Sequence, residues 1–177
     1  MKFTPTRVDG AYLIGLERIE DERGFFARAW CAKEFAAHGL NTRIAQANVS
    51  GNKRKGILRG LHYQTTPHEE AKLMRCTRGA IFDVCLDLRP GSRTYRQWEG
   101  VELSAETGRM LYIPEGCAHG YQILMDDTEV FYQASQFYAP DAERGVRWDD
   151  PAFGIEWPLR QGLIITDKDQ SWPDYTV

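Results

Sequence analysis

Long apolar runs, a strong excess of charge and paired cysteines are all missing from this chain. No stretch approaches the ~20 apolar residues of a membrane-spanning helix, so helical membrane proteins are excluded. The 177 residues carry a net charge of −3, which leaves no basic footprint for nucleic acid. The four cysteines, Cys31, Cys76, Cys85 and Cys117, lie far apart with no CxxC pair. They read as reduced thiols rather than disulfides or zinc ligands. The opening MKFTPTRVDG lacks the apolar core of an export signal, and a cytoplasmic location is expected. Neither GxGxxG nor GxxxxGKS/T occurs, so any phosphate must be held by side chains rather than by a glycine-rich loop.

What the chain does have is punctuation and β-formers. Gly (16) and Pro (8) break it into short segments, and aromatics make up 12% of the residues, five of them Trp. Strands are expected at 12–19, 25–30, 43–49, 57–64, 72–77, 80–88, 97–103, 109–113, 121–124 and 128–136. KLMRCT and AIFDVCLDL, joined at Arg78-Gly79, carry the strongest hairpin signal. CAKEFAAHG reads as a short helix stopped by Gly39. From Ala139 onward the chain reads as loops and turns. Roughly ten strands with one short helix, in a single domain spanning 1–177, predict an all-β sandwich or jelly roll with an interior able to hold a ligand.

Chemistry concentrates in GILRGLHYQTTPHEEAK, residues 56–72, which brings Arg59, His62 and Lys72 together. A second histidine, His119, follows the turn in LYIPEGCAH, and Tyr132 lies on the next strand. A ketone acidifies the C–H bonds beside it because the carbanion delocalises onto oxygen. Catalysis then needs a base at carbon and positive charge at the oxygen. Inversion needs a second group on the opposite face. His62 suits the base and Tyr132 the acid, although taken singly the histidine reads more readily as a structural or surface group, and Tyr132 more readily still as a core aromatic. Strand alternation puts Arg59 and His62 on opposite faces, so a shared pocket requires a bulge, and Gly60 is where one fits. Asp83, in an apolar strand, reads as a buried acceptor.

A metal is the rival use for the histidines. GILRGLH and GRMLYIPEGCAH match the glycine–histidine spacings of the two cupin motifs. Gln64 occupies the place of the second imidazole, and Glu69 is the remaining carboxylate candidate. A set short of one imidazole favours no metal.

Together DERGFFAR, QANVSGNKRKGILRGLHYQ, KLMRCTRGAIFDVCLDLRPGSRTY, LYIPEGCAHGYQIL, TEVFYQASQFYAP, GVRWDDPAFGIEWP and TDKDQSWP resemble the dTDP-4-dehydrorhamnose 3,5-epimerases and related nucleotide-sugar epimerases, over nearly the whole chain. The resemblance implies a cupin-type double-stranded β-helix, a homodimer without metal or organic cofactor, and a nucleoside-diphosphate 4-keto-6-deoxy sugar as substrate. It implies a step in making deoxysugars for surface polysaccharide or a glycosylated metabolite. Carried over by position, His62 is the base, oriented by Asp169, Tyr132 is the acid, and Lys72 lies beside the sugar. Arg23, Gln46, Asn48, Arg59, His119, Glu143 and Lys168 match positions that hold the nucleotide sugar, Tyr138 one that stacks on the base. The dimer implied by the resemblance would lend Arg23 to the partner's pocket. Arg28 stands where the family usually has a glutamate, which leaves CDP- and GDP-linked sugars open beside dTDP. Also open are a 3-only epimerase or ketoisomerase, a metal-dependent cupin enzyme and a non-catalytic sugar-nucleotide binder.

Overall fold

The computed structural model describes residues 1–176. Its strands are β1 (Lys2–Pro5), β2 (Tyr12–Gly15), β3 (Ile19–Asp21), β4 (Gly24–Phe26), β5 (Gln46–Asn52), β6 (Leu58–Gln64) and β7 (Lys72–Arg78), then β8 (Ala80–Asp87), β9 (Trp98–Ser104), β10 (Met110–Ile113), β11 (Cys117–Ile123), β12 (Thr128–Ala134) and β13 (Glu143–Gly145). Two short helices, α1 (Ala32–Ala37) and α2 (Asp167–Gln170), complete it. One sheet runs β1-β2-β10-β7-β12-β5 and a second β13-β6-β11-β8-β9, while β3 and β4 form a separate ribbon. The two sheets face each other as the expected jelly roll.

Alternation along the strands builds three apolar layers. Met74, Cys76, Ile81, Cys85, Leu103, Ile123 and Val130 meet between the sheets. Leu58, Leu61, Val84 and Leu86 pack on the outer side of the second sheet against Val146, Phe153 and Trp157 from the C-terminal segment. Phe35 of α1 covers the other sheet through Ile14, Leu73 and Tyr112. Each fully buried side chain of this size stabilises the fold by about 1.5–3 kcal/mol. Cys76, Cys85 and Cys117 are buried free thiols.

Two expectations need correction. β7 and β8 do not form a hairpin: β7 pairs with β10 and β12, and β8 with β9 and β11. Gly79, at φ +78°, turns the chain from one sheet into the other, and a Cβ there would strike Thr128. The glycine marked a tight turn, but inward Cys76 and Ile81 are shared with the core between sheets, which favours the crossing. The segment after Ala139 is not wholly loop either, since β13 pairs along β6 and α2 follows.

Candidate active site

The cleft opens between the two sheets, and β6 supplies its most demanding local geometry. His62 lies opposite His119, and Arg59 opposite Tyr121. Three steps along β6 therefore match two along β11, which is the bulge required to turn Arg59 and His62 to the same side. Gly60 makes it possible. It sits at φ +109°, and a Cβ would lie 2.6 Å from both Gly120 Cα and the His119 carbonyl oxygen. Gly60→Ala is expected to cost at least about 2 kcal/mol in urea unfolding, since neither contact is a flexible side chain that can move away. A loss below ~0.5 kcal/mol would show that the bulge tolerates a side chain.

Two histidine–carboxylate pairs stand side by side on this surface. His62 Nε2 lies 2.6 Å from Asp169 Oδ1, while Asp169 Oδ2 accepts the Gly60 amide at 3.1 Å. Burial alone would raise the Asp169 carboxyl, but the bond and charge of His62 and the Gly60 amide hold it below its ordinary value. An ionised carboxylate only accepts, so Nε2 carries the proton and Nδ1 of neutral His62 keeps its lone pair. Asp169 is placed by α2, whose N-cap Thr166 accepts the Asp169 amide. The other pair is His119 Nε2 with Asp83 Oδ1 at 2.7 Å. Asp83 is fully buried, as its apolar strand suggested, and burial raises its carboxyl against the pull of His119 and Lys72.

From the opposite sheet, β5 turns Gln46, Asn48, Ser50 and Asn52 inward, and β12 contributes Tyr132. A cavity of about 400 Å³ is lined by Gln46, Asn48, His62, Lys72, Tyr132, Tyr138 and Glu143, among others. An adjoining one of about 310 Å³ adds Arg59, His119, Lys168 and Asp169 and shares His62, Lys72 and Tyr132 with the first. The shared three mark the centre of one continuous cleft. Burial, then the Glu70 charge, raises the Tyr132 phenol, with Arg59 opposing. The phenol is therefore protonated at neutral pH.

The cleft mouth is also organised. Glu143 Oε2 accepts Tyr138 Oη at 2.8 Å and Lys168 Nζ at 2.6 Å, and Gln46 Oε1 accepts the Tyr138 amide at 2.6 Å. Tyr138 remains 56% exposed, leaving its ring free as a stacking surface. Arg59 Nε donates to Asn52 Oδ1 at 3.0 Å, so the guanidinium is braced while still exposed.

Eleven of the twelve residues singled out in the sequence line this cleft: His62, Tyr132, Asp169, Lys72, Gln46, Asn48, Arg59, His119, Tyr138, Glu143 and Lys168. Arg23 does not. It lies in the turn of the β3–β4 ribbon, 85% exposed and paired with Asp21. Arg28 is also outside the cleft, 3.3 Å from Glu34. Missed were Asn52, which braces Arg59, and Glu70, which pairs with Lys72 at 3.0 Å. Two adjacent glutamates gave no local signal for which turns inward.

The residues at the cupin metal position do not fit an ion. Gln64 spends its amide on the chain, donating to the His68 and Phe137 carbonyls and accepting the Ala139 amide. Glu69 bonds Thr66 instead of facing the histidines. Among the described residues no three His, Cys, Asp or Glu side chains converge as ligands. Nor, among them, is any helix long and apolar enough to cross a membrane.

Comparison with known proteins identifies the family. The profile of the family described as dTDP-4-dehydrorhamnose 3,5-epimerase matches residues 5–176. The dTDP-4-dehydrorhamnose 3,5-epimerase of Shigella flexneri is 47% identical over 96% of this chain and 93% of its own. That of Methanothermobacter thermautotrophicus is 45% identical over 97% of this chain and 92% of its own. The crystal structure of the Elizabethkingia anophelis enzyme of that name superposes with a TM-score of 0.96, at 37% identity, over 99% of this chain and 96% of the other. A family match over residues 5–176, with relatives at 45–47% identity across nearly the whole chain, shows that the chain belongs to the dTDP-4-dehydrorhamnose 3,5-epimerase family.

Proposed function

We propose that this chain inverts carbons 3 and 5 of a dTDP-linked 4-keto-6-deoxy sugar, converting dTDP-4-dehydro-6-deoxyglucose to dTDP-4-dehydrorhamnose without metal or organic cofactor. One observation carries the reading. A carboxylate-held histidine from one sheet and a phenol from the other face the same cavity. His62 Nδ1 takes the proton beside the C4 ketone, and the electron pair moves onto the ketone oxygen as an enolate beside the Lys72 ammonium. Tyr132 then delivers a proton to the opposite face, and the carbonyl re-forms. His62 then releases its proton to solvent and Tyr132 regains one, and because both C3 and C5 flank C4 the same pair can act again at the other carbon. Asp169 keeps the imidazole in its basic tautomer.

Arg59, with His119 and Lys168 nearby, gives the diphosphate its positive wall, and Tyr138 offers its ring to the nucleobase. A charge-assisted contact to phosphate contributes about 1.5–3 kcal/mol, so Arg59→Ala should weaken substrate binding roughly tenfold or more. A sugar analogue without the diphosphate should be affected far less. Equal losses for both ligands would make Arg59 structural.

We place the enzyme, a single catalytic domain, in a homodimer in the cytoplasm. Supporting the dimer, the β3–β4 ribbon exposes Ile19, Phe25 and Phe26 and carries Arg23 away from its own cleft, free to serve the partner's. Free thiols at Cys31, Cys76, Cys85 and Cys117 suit a reducing compartment.

The deciding experiment is proton NMR in deuterated water with 4-keto-6-deoxy sugars on dTDP, CDP and GDP. Deuterium at both C3 and C5 of the dTDP sugar, with inverted product, is expected, and chelation should not diminish it. Exchange at C3 alone would make the protein a 3-epimerase, and exchange with none of the three sugars would sink the reading.

A further inference from the structure

The reacting centre contains a charge that the mechanism above does not use. Glu70 Oε1 lies 3.0 Å from Lys72 Nζ, with both side chains only 12% exposed. Glu70 also lines the central cavity beside Tyr132. An acid here is costly, because the site receives an anionic diphosphate and generates an enolate. Left unpaired it would oppose both. It is also held firmly. The next residue, Ala71, donates its amide to Ser135 Oγ at 2.8 Å and accepts the Ser135 amide at 2.9 Å. At the far end of the same loop, Gln64 grips the His68 carbonyl. Glu69, one residue earlier, turns to Thr66. The backbone is thus clamped so that one of two adjacent glutamates enters the cleft.

We propose that Glu70 is a positioning residue of this centre, aiming the Lys72 ammonium at the sugar and setting a negative charge against the Tyr132 ring. The inference rests on the roles given above to Lys72 and Tyr132. Without Glu70, the ion pair that fixes the Lys72 ammonium beside Tyr132 is lost. The titratable groups lining the cleft with Tyr132 are Glu70 from the loop, Lys72 from β7, Arg59, His62 and Tyr63 from β6, His119 and Tyr121 from β11, Tyr138, Glu143 from β13, and Lys168 and Asp169 from α2. After burial, the Glu70 charge is what raises the phenol further, against Arg59. Removing it makes the phenol easier to ionise, so an acid needed in its protonated form is lost at lower pH.

The test is Glu70→Gln, which keeps the shape and removes the charge. Phenolate formation by Tyr132 is read as the ultraviolet difference between each protein and its Tyr132→Phe counterpart across the alkaline range. The midpoint should fall by about half a pH unit or more in Glu70→Gln. The rate of solvent exchange at neutral pH should fall about tenfold while KM changes little, as for a misdirected ammonium. Glu70→Asp should recover part of both effects. An unmoved phenolate midpoint, or an unchanged exchange rate, overturns the proposal. The midpoint does not depend on Tyr132 being the acid. A shifted midpoint with normal inversion by Tyr132→Phe therefore supports the placement of Glu70 and refutes the role of Tyr132 instead.

Discussion

His62→Asn should abolish solvent exchange and epimerisation together. If His62 takes the proton, no enolate forms without it at either carbon, and neither deuterium nor inverted product can appear. The loss should exceed the roughly 10²–10⁴-fold usual for a missing general base, since both centres depend on the same imidazole. Stability should change little. His62 is 30% exposed, and asparagine leaves no large void. Asp169 loses one partner but keeps the Gly60 amide, a cost of about 1 kcal/mol. The obvious substitute is His119, which lies directly across the ladder with its own carboxylate. It is poorly suited to the task, being 6% exposed against a wholly buried Asp83, and it fits better as a donor to bound substrate. Exchange that persists in His62→Asn while disappearing in His119→Asn would reverse the assignment.

His62, Lys72 and Tyr132 could be singled out from the residues because they sit on regular strands. Gln46, Asn48, Tyr138, Glu143, Lys168 and Asp169 were named only through the family resemblance, the last four lying outside the strands the patterning located. Period-two patterning located β6, β7, β8 and β12, and with them His62, Lys72 and Tyr132. It also exposed its own exception, because Arg59 and His62 could share a face only through a bulge, and Gly60 provides it. Patterning fails where pairing, not propensity, makes the element. β13 is three residues of Glu-Arg-Gly that become a strand only by lying along β6. β1 is likewise an edge partner of β2. The hairpin expected at Gly79 shows the same limit. A tight turn is local, but the choice between pairing with the next strand and crossing to another sheet belongs to the core. α2 is four residues long and so carries no helical period, although Thr166 with Asp169 three residues on is a recognisable capping pattern. Glu70 is the instructive miss. Its direction is set by the bonds that the neighbouring Ala71 backbone makes to Ser135, 64 positions further along the chain, so only the folded chain separates it from Glu69.

Tyr132→Phe should fail differently from His62→Asn, and the contrast tests the two-face mechanism. Tyr132 reaches the cavity from the sheet opposite His62, and burial keeps its phenol protonated at neutral pH. Phenylalanine preserves the ring and its packing, so the fold should lose less than ~1.5 kcal/mol. What disappears is the proton on the far face. His62 can still form the enolate and return a solvent-derived proton to the face it came from. Deuterium should therefore continue to enter the substrate with its configuration retained, while inverted product falls by about 10²-fold or more. The measurement is a time course in deuterated water that follows label in recovered substrate and in product separately. In the wild type both should rise; in Tyr132→Phe only the first should. Inversion at the normal rate would place the acid elsewhere in the cleft, and loss of exchange along with inversion would mean that Tyr132 acts before the enolate forms rather than after it.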